Sequence, residues 1–294
     1  MANLKDIKRK IGSVKNTQKT TRAMKLVSTA KLRRTEELAK RTKYFEDAIN
    51  ATLRQIASSI KKYKVGGIKG RYFEEPEADG VVDIIFITAD KGLCGGFNYQ
   101  TIKTVRSLLE EYQSKGAKVR LRAVGKKGIE FFNFQGYELS DSVVGLSSSP
   151  NYEDAKNYIL KSVEDFLEGK TDKVILIHNG YKNMITQEMK AIQLLPIDIS
   201  KYTQEVDGSM LEMEPDESEK VLESLLNKYI EFNMYYALID SLAAEHSARM
   251  QAMDAATNNA KEMVRSLTIS YNKARQESIT TELIEIISGM EAMK

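Results

Sequence analysis

The 294 residues carry 44 Lys and Arg against 41 Asp and Glu, with 42% hydrophobic content, one cysteine and two histidines. No apolar run approaches the ~20 residues that span a bilayer, and the opening MANLKDIKRK lacks the apolar core of a secretory signal. The single Cys94 excludes an internal disulfide framework and thiolate-rich metal sites, so a reducing compartment is expected.

The first element is a long basic helix. Residues 13–65 contain neither Gly nor Pro, the residues that punctuate structure. Leu4, Ile7, Ile11 and Val14 start a seam at steps of three and four, which weakens through Gln18, Thr21, Lys25 and Ser28. It recovers at Ile49, Leu53, Ile56 and Ile60. The helix-forming residues between support continuity, and their small polar character suggests winding around a partner rather than filling a core. Residues 1–65 hold a net charge of +13, whereas 66–215 and 216–294 are each −5. That charge suits a solvated face, nucleic acid, an anionic bilayer or an acidic protein, although aromatic residues for base stacking are missing before Tyr44.

The middle, 66–214, is a globular α/β domain. Residues 66–215 hold all four prolines and fifteen of the seventeen glycines, so chain reversals concentrate here. Val81 to Thr88 reads as a buried strand, Asn98 to Lys115 as a helix, Lys118 to Val124 as a strand and Ile129 to Phe134 as a short helix. Tyr152 to Leu167 reads as a helix, Lys173 to His178 as a strand and Met184 to Leu195 as a last strand. That alternation predicts a mostly parallel, Rossmann-like sheet.

The last element, 215–294, is a second long helix. Residues 216–288 contain no Gly or Pro, and Pro215 with Asp216, Glu217 and Glu219 fits a helix start. From Leu225 a 3.5-residue seam runs through Tyr229, Phe232, Tyr236, Ile239, Ala243, His246, Met250, Met253, Thr257, Ala260, Val264, Leu267, Tyr271 and Ala274. A seam sustained that far predicts a left-handed coiled coil, antiparallel to the first helix because the domain links them. At ~1.5 Å per residue such a helix extends roughly 110 Å, so other chains must cover its apolar tip at Ile279, Leu283, Ile286 and Ile287.

The stretch DKGLCGGFN, Asp90 to Asn98, sits where nucleotide loops sit, between a strand and a helix. It lacks the Gly-Lys-Ser/Thr ending of a phosphate loop and the G-x-G-x-x-G of a dinucleotide fold, so a tight connection with glycines at positive φ is expected. His178 and His246 lie in different segments, leaving no metal cluster of ordinary spacing. His246 falls on the seam as a register residue, and nothing beside His178 completes a hydrolytic triad. Asp90 reads as a turn residue and Asp83 as a solvated strand position. Catalysis within the chain, and a bound cofactor, are not expected.

Four blocks carry a resemblance. IKRKIGSVKNTQKTTRAMKLVSTAKLRR, ITADKGLCGGFN, SARMQAMDAATNNAKEM and YNKARQESITTELIEIISG resemble, in order, the gamma subunits of bacterial F-type ATP synthases. The resemblance implies a central rotor shaft, its helix pair inside a hexamer of alternating alpha and beta subunits. Its globular part would rest on the epsilon subunit and the membrane c-ring, peripheral to the cytoplasmic face of the plasma membrane. Ion-driven rotation would then cycle the nucleotide sites of beta, where the catalytic residues are. By position, Arg249, Arg275, Gln276, Thr280, Glu282 and Glu285 would contact beta. Met24 would lie near an acidic loop of beta, an acidic partner that favours protein over nucleic acid for the basic helix. Ile284 departs from the family, which has a polar residue there. Leu93, Cys94, Gly95, Gly96 and Phe97 would meet the coiled coil or epsilon at the foot. A stand-alone nucleotide-binding α/β domain with coiled-coil arms is the alternative, and a DNA-bridging coiled coil a third reading.

Overall fold

The computed structural model describes residues 4–63, 71–73, 76, 80–198 and 218–293. The expected boundaries at 65/66 and 214/215, the helix start at Pro215 and the seam side chains Leu53, Ile56 and Ile60 lie outside the described residues. Chain order is helix α1 (Leu4–Tyr63), a 3₁₀ turn (Arg71–Phe73), strand β1 (Val81–Ile87), α2 (Phe97–Ser114), β2 (Lys118–Val124) and α3 (Lys126–Phe134). β3 (Leu139–Val143), α4 (Tyr152–Leu167), β4 (Lys173–Tyr181), β5 (Gln187–Leu195) and α5 (Ser218–Glu291) follow.

The sheet runs β3-β2-β1-β4-β5, with the first four strands parallel and β5 antiparallel to β4. Helices cover both faces, as a parallel sheet requires. On one face Ile84 and Phe86 of β1 and Ile175 and Ile177 of β4 pack under α2 and α3. On the other, Ile85, Ile87, Val174, Leu176 and Leu194 pack under α4 and the start of α5, including Ile230, Met234 and Leu238. The expected strands and helices are all present, with small shifts at their ends. The sequence reading omitted β3, whose residues LSDSV alternate weakly and carry two hydroxyls and an acid at the sheet edge.

Asp83 corrects its expected solvated position. It is fully buried under α4, where Arg120 Nε lies 2.9 Å and Arg122 Nε 2.8 Å from its carboxylate oxygens. Arg122 Nη2 reaches Asp165 of α4 at 2.5 Å, and Arg120 pairs with the same carboxylate. Burial pushes the Asp83 carboxyl up despite both guanidiniums. At Asp165 burial pushes the same way, but the arginines prevail and hold it below the usual range. A buried charge is tolerated only when paired, and the pairs here tie α4 to β1 and β2.

The chain divides into two compact units, 1–29 with 249–294 and 30–248. Within the first, Lys25 Nζ meets Asp254 Oδ1 at 2.6 Å and the Thr257 hydroxyl donates to Thr21 Oγ1 at 2.8 Å. As the α1 number falls from 25 to 21, the α5 number rises from 254 to 257, so the helices are antiparallel. Within the second, the Phe45 and Phe232 rings are 6.1 Å apart and Lys43 Nζ lies 5.5 Å from the Tyr236 ring centre, in the same sense. The weak seam of α1 is a real seam. Ser28, Leu32 and Thr35 are buried at steps of four and three, and Thr42 one heptad further on. The Thr35 and Thr42 hydroxyls satisfy themselves on the carbonyls of Lys31 and Leu38, so small polar residues serve the interface without a buried orphan.

Candidate functional site: the glycine loop, the α5 clamp and the helix tip

β1 ends in a turn held by side chains. The Thr88 hydroxyl accepts from the Gly128 amide at 2.9 Å, and Asp90 accepts from the amides of Lys126 at 3.0 Å and Gly145 at 3.1 Å. Burial alone would raise the Asp90 carboxyl. The amides of Lys126 at the start of α3 and of Gly145 after β3 instead hold it below the usual carboxylate range. Asp90 is thus the turn residue expected. Gly125 is the glycine this turn requires, since φ is 98° and a Cβ would sit 1.9 Å from the Thr88 carbonyl oxygen.

In the loop that follows, only Gly95 of the three glycines has positive φ, 58°, while Leu93 itself adopts φ 61°. A Cβ on Gly92 would meet nothing within 4 Å, and one on Gly96 only the Gln100 amide nitrogen at 3.9 Å. The expectation of positive φ is therefore met at Gly95 and not at Gly92, and Gly96 has φ −82°. Cys94 and Phe97 are buried against Ala244 and Ala248 of α5, with Tyr181 alongside. Small alanines let the loop approach the helix closely. Leu93 stays 62% exposed, an apolar side chain on a strained backbone pointing away from that packing. The Asn98 side chain closes the loop by accepting from the Ala89 amide at 2.8 Å and donating to Cys94 Sγ at 3.3 Å.

One turn away is a constellation that the sequence reading did not assemble. Asp240 of α5 is 2% exposed and accepts three hydrogen bonds from the sheet. His178 Nε2 of β4 lies at 3.0 Å, the Tyr181 amide at 3.0 Å, and Lys190 Nζ of β5 at 2.6 Å. Gly180 makes room, because a Cβ there would fall 2.5 Å from Asp240 Oδ2. Burial works to raise this carboxyl, but His178 and Lys190 override it and hold it below the usual range. His178, expected at a strand end with nothing to support chemistry, lies within β4 and serves this clamp. Its signal in the sequence, the polar pair His178-Asn179 inside VILIHNGY, could not name a partner on a distant helix.

The remaining expected contact residues lie on the helix pair. Met24 is half-buried on α1, and Arg249 is buried on α5. Arg275, Gln276, Thr280, Glu282 and Glu285 are exposed, with Thr280 Oγ1 donating to the Gln276 carbonyl at 2.9 Å and Ser278 Oγ to Glu282 Oε1 at 3.2 Å. Around them Ile279, Leu283, Ile284, Ile286, Ile287 and Met290 are all exposed, an apolar surface too continuous to be ordinary on one helix. Among the described residues no group of three His, Cys, Asp or Glu is placed to hold a metal, and no helix is long and apolar enough to cross a membrane.

An α/β domain inserted between two antiparallel helices, and tied to one of them through the buried Asp240 carboxylate, defines the class: a helix-pair protein with an inserted α/β domain. The family model described as ATP synthase matches residues 3–293. The chain is 98% identical over 294 residues to the ATP synthase gamma chain of a Nitratiruptor species, covering all of both, and 62% identical to that of Campylobacter curvus, again over the full length of each. It resembles the solved central stalk and c-ring of Tetrahymena thermophila mitochondrial ATP synthase, with TM-score 0.60 and 27% identity over 81% of this chain and 99% of that one. The rotor of Euglena gracilis mitochondrial ATP synthase shares the fold at TM-score 0.63, 16% identity and coverage of 94% and 98%. The chain belongs to the ATP synthase gamma-chain family, and its role is that of the central rotor shaft, coupling ion-driven rotation to the conformational cycle of ATP synthesis and hydrolysis.

Proposed function

We propose that this chain performs its shaft role without a catalytic site or cofactor of its own. Its helix pair enters a hexamer of alpha and beta subunits, and its foot meets epsilon and the c-ring at the cytoplasmic face of the bacterial plasma membrane. Its membrane association is through the complex alone, and nucleic acid is not a partner. Residues 1–65 and 215–294 are the shaft and 66–214 the foot domain. The observation that carries this reading is the exposed apolar run from Ile279 to Met293 on an otherwise seam-paired helix. Water is a poor solvent for such a surface, and a ring of partner chains is a good one.

Around that run Arg275, Gln276, Thr280, Glu282 and Glu285 supply directional contacts to beta, with Arg249 and Met24 farther along the pair. Leu93 to Phe97 meet the foot partner through exposed Leu93, while Cys94 and Phe97 hold the loop on α5. A rotating shaft changes nucleotide affinity only by contacting the open and closed forms of a beta subunit with different free energy. Mixed charge and apolar side chains on one helix tip provide that difference as the tip turns.

The test is reconstitution of the full chain with an alpha–beta hexamer, followed by ATPase assay. Incorporation and stimulated turnover are expected, with no saturable ATP binding by the chain alone. Failure to co-assemble, or ATP binding abolished by substitution of Gly95 and Gly96, would overturn the reading.

A further inference from the structure

Between Leu226 and Ala248 only Lys228 of α5 is exposed. A helix buried on every side has no single apolar stripe to fix its rotation about its own axis, and apolar contact is non-directional. Directional contacts must do so. Other polar contacts reach α5 from the domain or the 3₁₀ turn, among them the Tyr72 hydroxyl to Asn227 Oδ1 at 3.0 Å, the Tyr152 hydroxyl to Glu231, and Gln187 Nε2 to the Ser247 hydroxyl at 3.1 Å. Asp240 differs in how many donors hold it, since Glu231, also a buried acid, takes a single hydrogen bond from the domain. Asp240 is an ionised group, buried, held by donors from two adjacent strands, at a point where Gly180 gives up its side chain to let it in.

We propose that the Asp240 clamp, formed with His178, Lys190, the Tyr181 amide and the space left by Gly180, fixes the azimuth of α5 on the sheet and thereby sets the torsional stiffness between the foot domain and the shaft helix. The physical reason lies in the charge. A carboxylate removed from water holds its partners tightly, because rotation of α5 by even a fraction of a turn would leave it buried and unpaired. Packing alone could slide from one set of neighbours to another. The three donors surround the carboxylate from two strands of the sheet and from its backbone, so no single rotation of the helix preserves them all. Asp240 and its partners are positioning residues, remote from nucleotide chemistry. This inference rests on the shaft role, and assembly of the wild-type complex is the control that separates a failure of that role from a failure of the clamp.

The experiment uses the assembled complex, immobilised through the hexamer and stalled with bound nucleotide, with an optical probe attached to the foot domain. Angular fluctuation of the probe is recorded for wild type, Asp240→Asn, Lys190→Met and Gly180→Ala. The clamp predicts a wider angular variance in Asp240→Asn and Gly180→Ala, with Lys190→Met between them and wild type. Hydrogen exchange supplies a second reading. In Asp240→Ala, which keeps no acceptor, the Tyr181 amide should exchange about tenfold faster, as expected for loss of one hydrogen bond, while the Ile175 and Ile177 amides keep their protection. A residue that only stabilised the fold would lower the thermal midpoint and leave the variance of the assembled complex unchanged, and that outcome overturns the proposal. Should Asp240→Asn fail to assemble, Lys190→Met decides: unchanged variance there overturns it equally.

Discussion

Two stretches of one helix, α5, meet their surroundings in different ways. From Leu226 to Ala248 nearly every side chain is covered, and Asn227, Glu231, Asp240 and Ser247 are hydrogen-bonded to the domain or the 3₁₀ turn. From Met253 onward the residues that escape full exposure fall chiefly on a narrow line, among them Thr257, Ala260, Val264, Leu267, Tyr271 and Ala274, and from Ile279 to Met293 nothing is covered. The first stretch is core; the second is a seam and then a bare surface. The difference teaches how one continuous helix can serve two purposes: beside the domain it is embedded and clamped, and where the proposed function has it meet successive partners it keeps its contacts few and its side chains outward.

Core truncation should separate the stretches most strongly. Leu238→Ala, in the covered stretch, is expected to lower the stability of the chain by about 2–5 kcal/mol, read by thermal or denaturant unfolding. Ile286→Ala, bare in the isolated chain, should change it by less than ~0.5 kcal/mol. A comparable loss at Ile286 would mean that the tip is covered within the chain itself, and the contrast would collapse.

Acid should act next, and chiefly on the clamped stretch. The folded Asp240 carboxyl lies below its unfolded value. Its stabilising contribution is therefore present above the unfolded carboxylate range and lost as pH falls through the folded value. Hydrogen exchange of the Tyr181 amide followed downward from neutral pH should show protection lost in that acidic window. Wild type and Asp240→Asn should converge there, and a difference that persisted to lower pH would assign the protection to something other than the carboxylate.

The seam should respond least. Lys25 and Asp254 are both more than a third exposed, so Lys25→Met is expected to cost no more than about 1 kcal/mol, diminishing with added salt. A loss of several kcal/mol, insensitive to salt, would show that this pair is held as tightly as the clamp.

The helix pair and the sheet were legible because their signals are periodic. A 3.5-residue spacing from Leu225 to Ala274 and apolar runs such as VVDIIFIT need no knowledge of the rest of the chain. β3 escaped because LSDSV, at the sheet edge, is only half-buried and its alternation is weak. Asp83 was misjudged because a buried acid looks like a solvated one until Arg120 and Arg122, one strand away, are seen beside it. That the glycine loop lacks the lysine and hydroxyl of a phosphate loop is a local fact, readable without the fold. That Gly95 alone of its glycines carries positive φ is a property of the folded turn.

What the sequence determined by itself was whatever depends on neighbours along the chain: two helices with seams, an α/β insert, and four blocks specific enough to mark the family. Tertiary structure alone decided what depends on neighbours in space. It brought His178, Gly180 and Lys190 of two strands to Asp240 of a helix up to 62 residues away. It laid Cys94 and Phe97 on Ala244 and Ala248. Hydrogen bonds and the removal of charge from water act over a few ångströms of space, and residues so far apart in the chain acquire that proximity only when the sheet and helix have packed.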